Sequence, residues 1–269
     1  MADVKASQGQ GTGQQRRILG AMLGLYALAA VLYVFVPGGM LDPASLQALG
    51  PGAQMPNIPA WQLALANAGL VVVVYGLLGL AGYWLSQRAA LPGIYRPGAG
   101  WRRWLARPLA IGVGAGLALV VADLAGQRLA GVPGFPHPAF PASILASLTA
   151  GIGEEILTRL LVLSLWSVVF TWVLGKLCPR REARRLGLWA ANIIAALTFA
   201  ASHFPSLMLL AGVSSPMALP PIVLAKVVLL NGFVGLLAGE AFIRDGLVAA
   251  SGVHFWADIV WHVIYGLLR

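Results

Sequence analysis

Apolar runs of membrane-spanning length alternate with short polar connections along this whole chain. A transmembrane helix takes about 20 predominantly apolar residues. The runs at 18–36, 61–86, 108–125, 141–175, 188–210, 219–241 and 247–268 are of that order, so the pattern predicts an all-α polytopic membrane protein of about seven transmembrane helices. The run at 141–175 strains the scheme. As one helix it would be about 50 Å long, against a hydrocarbon core of about 30 Å. Splitting it into two full spans would invert every later connection, so it is read as one long helix, tilted or broken. No connection is long enough to build a soluble core. The polar, Gly- and Gln-rich segment 1–17 reads as a disordered cytoplasmic tail. The run behind it is longer than a typical signal-peptide core and reads as a retained first span.

Composition agrees with this division. The chain has 269 residues, of which 59% are hydrophobic and 10% charged, whereas a soluble domain carries about 25% charged residues. The formal net charge of +9 would suggest nucleic acid in a soluble protein. Here the basic residues gather in alternate connections, the pattern that orients membrane proteins with positive segments inside. Segment 87–107 carries Arg88, Arg96, Arg102, Arg103 and Arg107, and segment 176–187 carries Lys176, Arg180, Arg181, Arg184 and Arg185. Both are assigned to the cytoplasm, together with the N-terminus and the Arg244 connection. Segment 38–60 and segment 211–218 hold no Lys or Arg, and segment 126–140 holds only Arg128. These, and the C-terminus, are assigned to the outside. A nucleic-acid partner is not expected, while the lipid bilayer is. Cys178 is the one cysteine, so no intrachain disulfide can form.

Polar residues break three of the later runs. They are Glu154-Glu155-Ile-Leu-Thr-Arg159, Phe199-Ala-Ala-Ser-His203 and His254-Phe-Trp-Ala-Asp258. A charged side chain at the centre of a membrane helix costs about 2.5–3.5 kcal/mol on insertion scales, so such residues face a protein interior or a wet cavity and mark function by default. Adjacent glutamates point about 100° apart on a helix. Glu155 and Arg159, four apart, share a face and can pair, which leaves Glu154 for the cavity. A lone histidine in an apolar helix is more often a packing residue. His203 gains weight from the company of Glu154 and His254, because glutamate and histidine together can take a proton from water. His254 and Asp258 share a face. An imidazole N–H can donate to a developing oxyanion, whereas an ionised Asp258 only accepts, so it would have to be protonated through burial or else act by orienting His254. His262, one turn on, reads as packing. Glu154, His203 and His254 could also supply a two-histidine, one-carboxylate zinc set, although no His-Glu-x-x-His motif is present. Asp123, Lys226, Asn231 and Glu240 are read as wet, snorkelling or unassigned. By residue count His254 lies about 10 Å from the inner end of its span, and Glu154 and His203 about 20–30 Å from theirs. A joint site requires the earlier helices to extend past the membrane.

In that order and at that depth, the three motifs resemble those of the CAAX-protease and bacteriocin-processing (CPBP, Abi) family. The resemblance covers roughly 141–268. It implies an intramembrane endopeptidase acting on membrane-associated or lipid-modified proteins or peptides. Glu154 would be the general base and His203 its partner; His254 and Asp258 would stabilise the oxyanion, with Glu155, Arg159 and Phe199 in support. No cofactor is required by this reading, and zinc is the alternative. The well-studied branch has Asn where this chain has Asp258. The chain divides into the tail 1–17, motif-free helices over 18–140 and a catalytic core over 141–269. The expected location is a prokaryotic plasma membrane, with the site open to the cytoplasm. A proton-coupled transporter or a non-enzymatic immunity or scaffold protein stays open as the other class of function. No duplicated halves favour the transporter.

Overall fold

The computed structural model describes residues 2–42, 57–132 and 134–269; of residues 2–10 and Ala130 it gives the backbone only. Every regular element among them is helical: α1 (Ala2–Phe35), α2 (Ala60–Arg88), α3 (Arg102–Leu129), α4 (Ala142–Leu174), α5 (Arg180–Ala201), α6 (Phe204–Ala211), α7 (Pro221–Asp245) and α8 (Leu247–Leu268). Seven spans among the described residues are long and apolar enough to cross a membrane, with α5 and α6 counted together. Most of the expected outer connection 38–60, and Pro133 in the next, lie outside the described residues.

Two expectations need correction. The segment expected as a disordered tail is helical from Ala2 onward and continuous with the first span. Gln15 supplies a reason: its Nε2 donates to the carbonyls of Pro92 and Tyr95, and its Oε1 accepts from the backbone N–H groups of Ile94 and Tyr95. One buried amide thus satisfies four backbone groups that the 92–95 connection leaves unpaired. The expected span 188–210 begins earlier, at Arg180, and breaks at Ser202–His203. Pro205 has no N–H to continue the ladder and sits in the first turn of α6, a position proline tolerates.

The long run is one continuous helix, α4, of 33 residues. Just past Glu155 it widens into π-helix over Ile156–Leu163, a departure that often accompanies functional sites. Helix α8 is the centre of the molecule: 61% of its most apolar window is buried, against 17% for α1 and for α2. It packs on α3, α4 and α7, while α5 closes the ring between α4 and α7. Small residues permit the close approaches, as membrane helices require. A Cβ on Gly112 would stand 2.5 Å from the Val253 carbonyl and one on Gly116 would stand 2.7 Å from that of Ala257. Both contacts are with α8; Gly114, between them, meets nothing.

The start of α8 is clipped in place. Gly246 turns the chain at φ +95°, and a Cβ there would meet the Tyr95 backbone. The N–H groups of Leu247 and Val248 donate to the carbonyls of Gly93 and Ile94, so two donors that a helix start leaves orphaned are satisfied. Asp245, just before the turn, faces Arg96 and Arg103 at 3.7 Å and Arg107 at 3.5 Å. Arg184, one turn into α5, donates to the carbonyls of Ala89 and Ala90. The start of α5 is thereby tied to the chain just after α2, next to the connection that clips α8.

Candidate active site

Glu154 and Glu155 do different work. Glu155, fully buried, accepts from Arg159 Nη1 at 2.8 Å, and the same Oε1 lies 2.8 Å from His254 Nδ1. Arg159, also fully buried, donates further to Thr158 Oγ1 at 2.5 Å and lies over the Phe199 ring, 4.5 Å from its centroid. A buried ion is tolerated when it is both paired and hydrogen-bonded. Glu154 instead lines the cavity, and its buried Oε2 has no hydrogen-bond partner among the described residues.

His203 occupies the break between α5 and α6. Its Nδ1 lies 2.8 Å from the Phe199 carbonyl. A carbonyl only accepts, so Nδ1 carries a proton, which in the neutral ring leaves the lone pair on Nε2. The helix break created by Pro205 thus sets the tautomer of the histidine. Phe199 is 1% exposed and lies edge-on to two imidazoles, His203 at 4.9 Å and His254 at 5.1 Å between centroids. One ring positions both histidines and the guanidinium. His254 is bracketed by carboxylates: Nδ1 meets Glu155, and Nε2 faces Asp258 Oδ2 at a looser 3.4 Å.

Glu154, Phe199, His203, His254 and Asp258 all line one cavity of about 250 Å³. That is slightly below the range of pockets for drug-sized ligands and suits a peptide bond with a flanking side chain. Glu155 and Arg159 lie behind the wall. The set proposed for zinc, Glu154, His203 and His254, lines the same cavity, yet among the described residues no three His, Cys, Asp or Glu side chains converge closely enough to hold an ion.

Residues 136–260 match the family model described as type II CAAX prenyl endopeptidase Rce1-like. This part of the chain is similar to the Rce1-like family. All three motifs fall within the Rce1-like segment, as does every cavity-lining residue named so far. Comparison with curated proteins and with solved structures finds no match.

The structure also revises several assignments. His262, read as packing, lines the cavity, and so does Asn231. His137 contributes to the same end: its Nδ1 is 3.3 Å from His262 Nδ1, and its ring lies edge-on to Trp261 and Tyr265. It lies in a connection with no helical period, so nothing in the sequence singled it out. Burial pushes the His137 imidazole down to about 4, helped by the neighbouring His262 and Arg269 and opposed by Asp123. Asp123, read as wet, is fully buried, and Lys226, read as snorkelling, meets it at 2.5 Å. Tyr265 donates to the same carboxylate at 2.9 Å.

The cavity also bears on sidedness. Its lining includes Phe135 and Pro136 of the connection before α4, Leu207 and Leu210 of α6, and His262 near the end of α8. These belong to the end of the bundle whose connections hold Arg128 as their one basic residue, whereas the arginine-rich connections lie at the other end.

Proposed function

We propose that the protein is an intramembrane endopeptidase of the CAAX-protease type, in which Glu154 and His203 activate a water molecule. The observation that carries this reading is the division between neighbouring glutamates. Glu155 is consumed by Arg159 and His254, while Glu154 presents an unpartnered oxygen to a cavity shared with His203. Water held between Glu154 and His203 Nε2 gives up a proton to the carboxylate as its oxygen attacks the scissile carbonyl. The C=O π electrons move to oxygen. His254, with a proton on each nitrogen, gives its Nδ1–H to Glu155 and offers its loosely held Nε2–H to the oxyanion, the interaction that matters most in acyl transfer. Collapse re-forms the carbonyl and breaks the C–N bond, and the proton held by Glu154 passes to the departing amine. Asp258 acts through His254 as a positioning residue. Exclusion of bulk water strengthens each of these contacts.

The substrate in this reading is a membrane-associated protein or peptide. The test compares protein N- and C-termini in membranes expressing wild type or Glu154→Gln at equal levels. New termini made only by the wild type are expected. Identical termini in both membranes would overturn the peptidase reading.

A further inference from the structure

We infer that Arg96, Arg103 and Arg107 form a binding site for the phosphate headgroup of an anionic phospholipid, at the turn where α8 begins. The site does not depend on the peptidase reading.

The three guanidinium groups converge on one carboxylate. Asp245 is 3% exposed. Arg96 Nε and Arg103 Nη1 both stand 3.7 Å from its Oδ1, and Arg107 Nη1 stands 3.5 Å from its Oδ2. They surround the aspartate without closing on it, for Oδ1 has no hydrogen-bond partner among the described residues. Three positive charges against one negative leave an excess of two, and each guanidinium carries five N–H donors. The arginine side chains stay exposed while the aspartate is buried beneath them, so those donors reach an outside acceptor. The backbone under the cluster is fixed: the Arg96 N–H donates to the Asp245 carbonyl at 3.0 Å, and Arg96 Nε donates to the Arg244 carbonyl. Neighbouring cations are satisfied locally instead. Arg88 lies over the Trp84 ring, Arg184 donates to the carbonyls of Ala89 and Ala90, and Arg244 pairs with Glu240. The bias of Lys and Arg toward one set of connections accounts for the number of arginines here, but not for three of them meeting at one point.

The position selects a lipid over a free anion. Arg103 and Arg107 lie in the first turns of the span Arg102–Leu129, and the same stretch exposes Trp101, Trp104 and Leu105. Tryptophan at the end of a span settles at the level of the headgroups. A phosphate held there by the arginines has its acyl chains beside apolar surface. Guanidinium forks match phosphate oxygens bidentately. A phosphocholine headgroup would bring its own cation into the cluster, whereas a singly anionic phosphodiester offsets part of the excess charge. Bound there, it braces the Asp245–Gly246 turn and with it the start of α8.

The test titrates phosphatidylglycerol into the full-length protein in a non-ionic detergent and follows thermal unfolding. Phosphatidylcholine with the same acyl chains, and inorganic phosphate at matched ionic strength, are run beside it. Phosphatidylglycerol at a hundredfold above its Kd should raise the melting temperature by roughly 5–10 °C, phosphatidylcholine by clearly less, and inorganic phosphate not at all. Arg103→Gln/Arg107→Gln should lose the phosphatidylglycerol shift. Arg181→Gln/Arg185→Gln, which removes the same charge from the start of α5, should keep it. Equal shifts with the two lipids would reject an anionic headgroup, and an equal shift with inorganic phosphate would reject a lipid. Equal losses in the two double variants would reduce the effect to diffuse charge and overturn the site. If Arg103→Gln/Arg107→Gln does not fold, Asp245→Asn decides. With the carboxylate charge gone and the arginines kept, the half-maximal shift should come at about fivefold lower phosphatidylglycerol; an unchanged or higher requirement would overturn the inference.

Discussion

Glu155→Gln is expected to unfold the protein at markedly lower temperature, and Glu154→Gln is not, although the two residues are neighbours. Glu155 and Arg159 are both fully buried and 2.8 Å apart. Arg159 Nε and Nη2 have no other partner among the described residues, so losing the Glu155 charge leaves a guanidinium uncompensated in a low-dielectric interior. Breaking a buried pair from one side costs about 3–5 kcal/mol. At about 2–4 °C per kcal/mol for a chain of this order, the melting temperature should fall by roughly 6–20 °C. Glu154 forms no such pair. Replacing its carboxylate with an amide removes a buried charge, so the melting temperature should hold or rise, the usual trade at a functional site. The double variant Glu155→Gln/Arg159→Met should recover most of the loss, because both charges leave together and methionine packs against Phe199. The assay is thermal unfolding in detergent, followed by the intrinsic fluorescence of the nine tryptophans. Equal melting of Glu154→Gln and Glu155→Gln would refute the division of labour; so would failure of Arg159→Met to rescue Glu155→Gln.

Three further predictions follow from the packing and from the site. Gly112→Ala should cost about 1–3 kcal/mol through overpacking and depress cleavage by shifting α8, whereas Gly114→Ala should be silent in the same melts, since nothing lies within 4 Å of it; equal effects would discard the α3–α8 contact. Asp258→Asn should keep more cleavage than Asp258→Ala, because an amide can still hold His254 Nε2; activities of the two variants that coincide would argue against a positioning role. His137 is held down to about 4, below its unfolded value of about 6.5. The stability it contributes is therefore fully present above about pH 6.5 and lost as pH falls through about 4; melts of His137→Gln across that window should decline less steeply than wild type, and parallel curves would remove His137 as the cause.

The primary structure alone determined that this chain lives in a bilayer and which polar residues interrupt its apolar helices. Long apolar runs must bury their backbone polar groups in helices, and Lys and Arg in short connections orient those helices. Both are local properties of the chain. The three motifs were legible for the same reason: an acid, a histidine or an arginine in an apolar run is costly wherever it finally packs. The pairing of Glu155 with Arg159 could be read from their four-residue spacing. That Glu155 also holds His254, 99 residues away, could not, because no local period links α4 to α8. The break that places His203 at a helix end was missed within the expected span 188–210, and its consequence for the imidazole needed the Phe199 carbonyl in space. His137, His262 and Asn231 were passed over because they belong to no spaced motif, and only tertiary packing brings them to the cavity. The burial of Asp123 with Lys226 likewise depended on α3 and α7 meeting. Which helix ends gather around the cavity was decided last, because no local period of the chain links Pro136, Leu210 and His262, and long-range packing alone brings them together.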